Sequence, residues 1–117
     1  MNTISFTAAA ISDKGKIRGN NEDNFYFNGV HLNAENRDAG KVLFDNPKGD
    51  DLVFGVFDGM GGEALGEEAS LIAAETVKKY HDKIMKHQAA NCDRTFLRAV
   101  EEANAKFCDK MVETGER

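Results

Sequence analysis

Residues 52–57, Leu-Val-Phe-Gly-Val-Phe, form an unbroken apolar run that ends at one aspartate and a turn packed with glycine, Asp58-Gly59-Met60-Gly61-Gly62. A short apolar run reads as a β-strand, and one without polar alternation reads as a strand covered on both faces. A helical pattern starts directly afterwards, so the chain must pass from strand to helix within a few residues. Any fold it adopts has to set Asp58 at the mouth of that turn. The turn could cradle an anion on its backbone N–H groups, as helix starts do. Alternatively, Asp58 could hold a cation that then attracts the anion.

Charge opposes the first alternative. Residues 59–64 fit G-x-G-x-x-A, the dinucleotide fingerprint, in its strand-to-helix setting. Yet Asp58 precedes the first glycine, and Glu63, Glu67 and Glu68 crowd the positive end of the helix dipole. The ribose-binding acid should end a second strand about twenty residues on, a position that here falls inside the helix. A calcium loop fails too, because Gly, Met, Gly and Gly follow Asp58 where alternate acids are needed. A hard-metal site remains. Carboxylate oxygens suit Mg²⁺ or Mn²⁺, which keep most of their waters. Asp58 has two oxygens to offer two ions, and Gly59 has no Cβ to block its carbonyl.

A second polar motif lies upstream, in Ser12-Asp13-Lys14-Gly15 and then Arg18 followed by Asn20-Asn21-Glu22-Asp23. A guanidinium fork suits phosphate. Adjacent carboxylates at a strand start need solvent or a cation. In an extended chain Glu22 and Asp23 point to opposite faces, so one of them would reach a shared metal only through water. The bland alternative is a solvated polar turn before a hairpin.

Strands are expected over 4–11, 23–30 and 41–44, with turns at 13–16 and 46–50. A long helix is expected over roughly 63–88, with Leu65, Ala69, Ile72, Thr76, Tyr80 and Ile84 on its buried stripe. Asn91 or Asp93 would cap a second helix that buries Phe96, Val100, Ala103, Phe107 and Met111 and stops at Gly115. The fold class is α+β, with helices packed on one face of a mainly antiparallel sheet. That arrangement leaves the 52–57 strand without its second cover, and residues 1–117 read as part of a larger domain.

The net charge of −5 argues against nucleic acid or an anionic membrane as partner. No apolar run reaches membrane-span length and no secretory signal is visible, so a cytoplasmic setting is expected. Cys92 and Cys108 read as reduced, partly buried helix residues. His81 and His87 read as solvated helix positions, and His31 as a loop residue without a partner. Lys78-Lys79 and Glu101-Glu102 read as solvated faces.

Together, Arg18, Asn21, Glu22 and Asp23 (R-x-x-N-E-D), then Phe57, Asp58, Gly59, Gly61 and Gly62 (F-D-G-x-G-G), resemble the metal-dependent serine/threonine protein phosphatases of the PP2C (PPM) family, its bacterial members in particular. The resemblance spans the chain but only about the first half of the family domain. It implies antiparallel β-sheets sandwiched between helical layers, an αββα arrangement. It also implies two Mn²⁺ or Mg²⁺ ions and a bridging hydroxide that attacks phosphoserine or phosphothreonine. On this resemblance Asp58 is the bridging ligand, Glu22 and the Gly59 carbonyl serve one ion, Asp23 acts through water, and Arg18 orients the phosphate. Phosphorylated proteins, the products of serine/threonine kinases, would be the substrates. Met60 departs from the histidine of many eukaryotic members and has no proton to give. The family's later aspartates have no counterpart before Arg117. The 117-residue chain alone is therefore expected to be inactive, to bind metal weakly, and to cover its open sheets by self-association. A rival from another class is a phosphatase-like module that binds a partner without catalysis.

Overall fold

The computed structural model describes residues 5–33, 42–46, 52–60 and 63–115, without the side chains of 63, 64, 87–91 and 114. Among the described residues five strands come first: β1 Ala8–Ala10, β2 Asn24–Phe27, β3 Val30–His31, β4 Leu43–Asp45 and β5 Phe54–Phe57. One helical element follows, α1 Glu63–Thr114. β1 and β4 form a two-stranded antiparallel sheet, with Ala9 opposite Phe44. The second sheet is antiparallel in the order β3-β2-β5. The α+β class is as expected.

The expected single strand over 23–30 is a hairpin instead. Asn28 and Gly29 both take positive φ, 44° and 110°. Such a pair makes the tight two-residue turn whose twist matches flanking strands, and Asn-Gly is its strongest sequence signal. Asn28 also holds the neighbouring strand. Its N–H donates to the Val53 carbonyl at 3.0 Å, and its Oδ1 accepts from Val53 N–H at 3.3 Å.

Strand alternation splits the core in two. Tyr26 turns to α1, where it clusters with Val53 and Ile84 against Phe57, Val77, Tyr80, Met85 and Cys92. Phe25 and Phe27 turn the other way, to Leu32, Ala8, Ala10 and Leu43. The layers are thus helices, three-stranded sheet, two-stranded sheet. The doubly covered strand is β2, buried at every position. The apolar run 52–57 is not, for Val56 is 85% exposed and Phe54 is also open. They share a face with their cross-strand partners Phe25 and Phe27, but β5 is an edge strand and the β1–β4 sheet does not extend over it. A radius of gyration of 15.5 Å fits this incomplete cover, against about 13 Å for a compact chain of similar length.

Two separately capped helices were expected, but helical hydrogen bonding runs through Glu63–Thr114. The element nevertheless doubles back. Lys79 Nζ lies 2.7 Å from Glu102 Oε1, whereas residues 23 apart on a straight helix would stand about 35 Å apart. Two packed arms result. The side chain of Asn91 lies outside the described residues, and among the described residues Asp93 Oδ1 accepts from the adjacent Arg94 N–H. Gly115 ends the element as expected, with φ 72° and its N–H on the Val112 carbonyl.

The buried stripe of the first arm includes Thr76 and Ile84, but also Ser70 and Ala74, because this arm faces both the sheet and the second arm. On the second arm Thr95 and Ala99 are buried, while Phe96 and Val100 are exposed, contrary to expectation. Small residues at the contact let the arms approach, which turns Phe96 and Val100 to the rim of an apolar cavity of about 170 Å³.

Lys79 and Glu102 pair across the two arms while Lys79 stays exposed, as expected, and Tyr80 Oη also donates to Glu102. His81 is partly buried rather than fully solvated: its Nδ1 shares a hydrogen bond with Tyr26 Oη, with the rings edge to face at 5.6 Å. His31 lies in β3 with its Nδ1 on the Leu32 carbonyl at 2.8 Å. His87's side chain lies outside the described residues. Cys92 is partly buried and Cys108 is exposed, both as free thiols.

Ile84 is 2% exposed between sheet and arm. Ile84→Ala should cost about 2–4 kcal/mol in urea unfolding, whereas Val56→Thr on the open face should stay within about 0.5 kcal/mol. Equal costs would contradict the layer assignment.

Candidate metal and phosphate site

Register builds the site. Asn24 pairs with Phe57 at the end of the β2–β5 ladder. In an antiparallel pair the next residue back on one strand meets the next residue forward on the other, so Asp23 and Asp58 come side by side. Around them lies a cavity of about 210 Å³ that takes in Arg18, Glu22 and Gly59. All five expected site residues therefore line one cavity. Asp13, Lys14, Asn20 and Asn21 complete its wall.

Two asparagines hold the loop that delivers these groups. Asn21 is buried; its Nδ2 donates to Ser12 Oγ at 2.8 Å and its Oδ1 accepts from Asp23 N–H at 3.1 Å. Asn24, 1% exposed, accepts from Leu32 N–H and Phe25 N–H and donates to the Leu32 carbonyl. These bonds replace backbone pairing where the chain enters β2. Asn20 Nδ2 donates to Glu67 Oε1, which docks the loop on the first arm of α1.

Gly59 earns its place by crowding. A Cβ there would overlap the backbone carbonyl oxygens of Glu22 and Gly66. Its N–H donates to Asp23 Oδ1 at 3.3 Å. Gly66 serves a matching purpose, since a Cβ there would stand 2.7 Å from Glu22 Oε2. Glu22 thus lies directly against the helix at Gly66. Gly66 and Glu67 were not anticipated as site-forming residues. The available signal was a glycine inside a helix, which costs about 1 kcal/mol against alanine and asks for a packing reason. Gly61 and Gly62 lie outside the described residues. Met60 is exposed.

Asp23 is raised above its ordinary value of 3.8, first by partial desolvation, then by a hydrogen bond to Asp58 and by that residue's charge. Gly59 N–H and Arg18 oppose the rise. The pair thus concentrates like charge at one spot. A shared proton or a divalent cation would relieve it, and carboxylate oxygens with room for water suit a hard cation. Among the described residues, no group of three or more His, Cys, Asp or Glu is arranged to hold a metal ion by itself. Comparisons with protein-family models, curated proteins and solved structures each returned no match.

The Asp23 shift sets a pH dependence. An acid whose folded value is raised stabilises the fold most below its unfolded value, and that stability is lost as pH rises through the folded value. Asp23→Asn keeps an acceptor for Gly59 N–H and stays neutral. Without added metal it should raise the melting temperature at pH 7 by about 1–2 °C, a small gain because Asp23 is exposed and screened. The gain should vanish below about pH 4. A lower melting temperature at pH 7 would contradict the charge conflict.

Proposed function

We propose that this chain carries metal- and phosphate-binding parts of a cytoplasmic metal-dependent phosphatase that hydrolyses phosphoserine and phosphothreonine on proteins. What supports the reading is the convergence of Arg18, Glu22, Asp23, Asp58 and Gly59 on one cavity. Mn²⁺ or Mg²⁺, when bound, supplies an activated water and offsets phosphate charge. Asp58 would hold two ions through its two oxygens, Glu22 and the Gly59 carbonyl would hold one, and Asp23 would contribute through water. Arg18 turns its planar donors to the phosphate oxygens and so fixes the phosphorus for in-line attack. Met60 cannot donate a proton to the leaving alkoxide. No helix among the described residues is long and apolar enough to cross a membrane, which accords with a site open to soluble phosphoproteins.

A second reading, a phosphatase-like module that binds a partner without catalysis, draws on the open apolar face at Phe54 and Val56. Activity separates the two. Protein expressed from the full natural reading frame should release phosphate from a phosphothreonine peptide only with Mn²⁺ or Mg²⁺. In it, Asp58→Asn should lower kcat by about 10²-fold or more, and Arg18→Ala should lower kcat/KM about 10- to 100-fold. Metal-independent release, or none from a folded protein, would reject the enzymatic reading.

The 117-residue chain has its own test. Mn²⁺ at about ten times its Kd should stabilise it by about 1.4 kcal/mol. Asp58→Asn should abolish that gain, and a gain of the same size in the variant would place the metal elsewhere.

A further inference from the structure

We propose that Lys14 is a second anion-holding cation of the cavity, acting with Arg18 on the terminal oxygens of a phosphate monoester. This deepens the phosphate part of the reading above and rests on it for the ligand. Lys14 and Arg18 are the two cations in the wall of the 210 Å³ cavity. Four carboxylates, those of Asp13, Glu22, Asp23 and Asp58, share that wall. Even so, neither cation forms an ion pair among the described residues. Both are exposed and line the same cavity, so a ligand that brings negative charge can meet either.

The turn that carries Lys14 has a fixed shape. Asp13 Oδ1 accepts from Gly15 N–H at 2.8 Å, and Gly15 takes φ +76°, which suits glycine. Lys14 sits between these two residues, on the turn that borders the cavity. Lys16 is exposed like Lys14 but does not line the cavity.

The two side chains divide the ligand between them. The planar guanidinium grips two oxygens at once, and the compact ammonium acts as a point charge on a third. A monoester offers three terminal oxygens and two charges, whereas a diester offers two oxygens and one charge. The pair therefore selects monoesters.

Inorganic phosphate titrated into the 117-residue chain with Mg²⁺ present, followed by amide chemical shifts, tests this. Lys14→Gln should weaken phosphate binding about five- to tenfold, while Lys14→Arg keeps it within about twofold. Lys16→Gln should leave it unchanged. Amide spectra of free Lys14→Gln that match the parent away from the cavity exclude a folding defect, and rescue by Lys14→Arg does the same independently. Phosphate binding by Lys14→Gln equal to the parent's would overturn the proposal. So would equal weakening by Lys16→Gln, or no binding by the parent chain. Asp58→Asn separates this from the metal reading. If it abolishes binding while Lys14→Gln does not, the metal stands and the Lys14 proposal falls. If Lys14→Gln weakens binding while Asp58→Asn does not, Lys14 stands and the metal reading falls.

Discussion

The antiparallel register of β2 and β5, with Asn24 opposite Phe57, forces Asp23 and Asp58 together at the end of a ladder that the core will not let slip. A shift by one residue would swing Tyr26 away from Ile84 and send Phe25 and Phe27 to the helical side. Two buried clusters therefore hold the two acids at one spot, and the fold bears that charge conflict. Partial desolvation, then the neighbouring Asp58, raises Asp23 above its ordinary value. Within the proposal, burial elsewhere in the sheet maintains a site that is unfavourable until a cation arrives.

The wall of the site depends on atoms that are missing as much as on those present. Gly59 and Gly66 let three backbone segments close on one another: the loop at Glu22, the turn after β5 and the first turns of α1. Asn21, Asn24 and Asn20 then fasten the loop to Ser12, to Leu32 and to Glu67. Acids, cations and asparagines thus divide the work. The asparagines fix the backbone and leave Glu22, Asp23, Arg18 and Lys14 to face the cavity.

Much of this was legible in the residues because two motifs carried it. Carboxylates at a strand start and at a strand-to-helix turn meet here because those strands pair, which the structure supplies and the residues alone did not. What was missed has physical reasons. The Asn28-Gly29 turn was overlooked because three aromatics on one side suggested a longer strand. The doubly covered strand proved to be β2, since an apolar run such as 52–57 fixes strand character but not which neighbour covers it. Phe96 and Val100 were placed inward as part of an apolar helical face, whereas Thr95 and Ala99 take the arm contact because small side chains allow close approach. Lys79 with Glu102, and Tyr26 with His81, meet only in the folded chain, across separations no local pattern reveals.

The central claim is that the register-forced pair of Asp23 and Asp58 is where a divalent cation binds. Substoichiometric Mn²⁺ added to isotopically labelled protein, read as paramagnetic broadening of backbone amides, tests it most directly. The account predicts early loss of the signals of Glu22, Asp23, Asp58 and Gly59, with the second arm of α1 untouched. Broadening that begins at the acids of that arm, or none at the loop as Mn²⁺ rises, would contradict it.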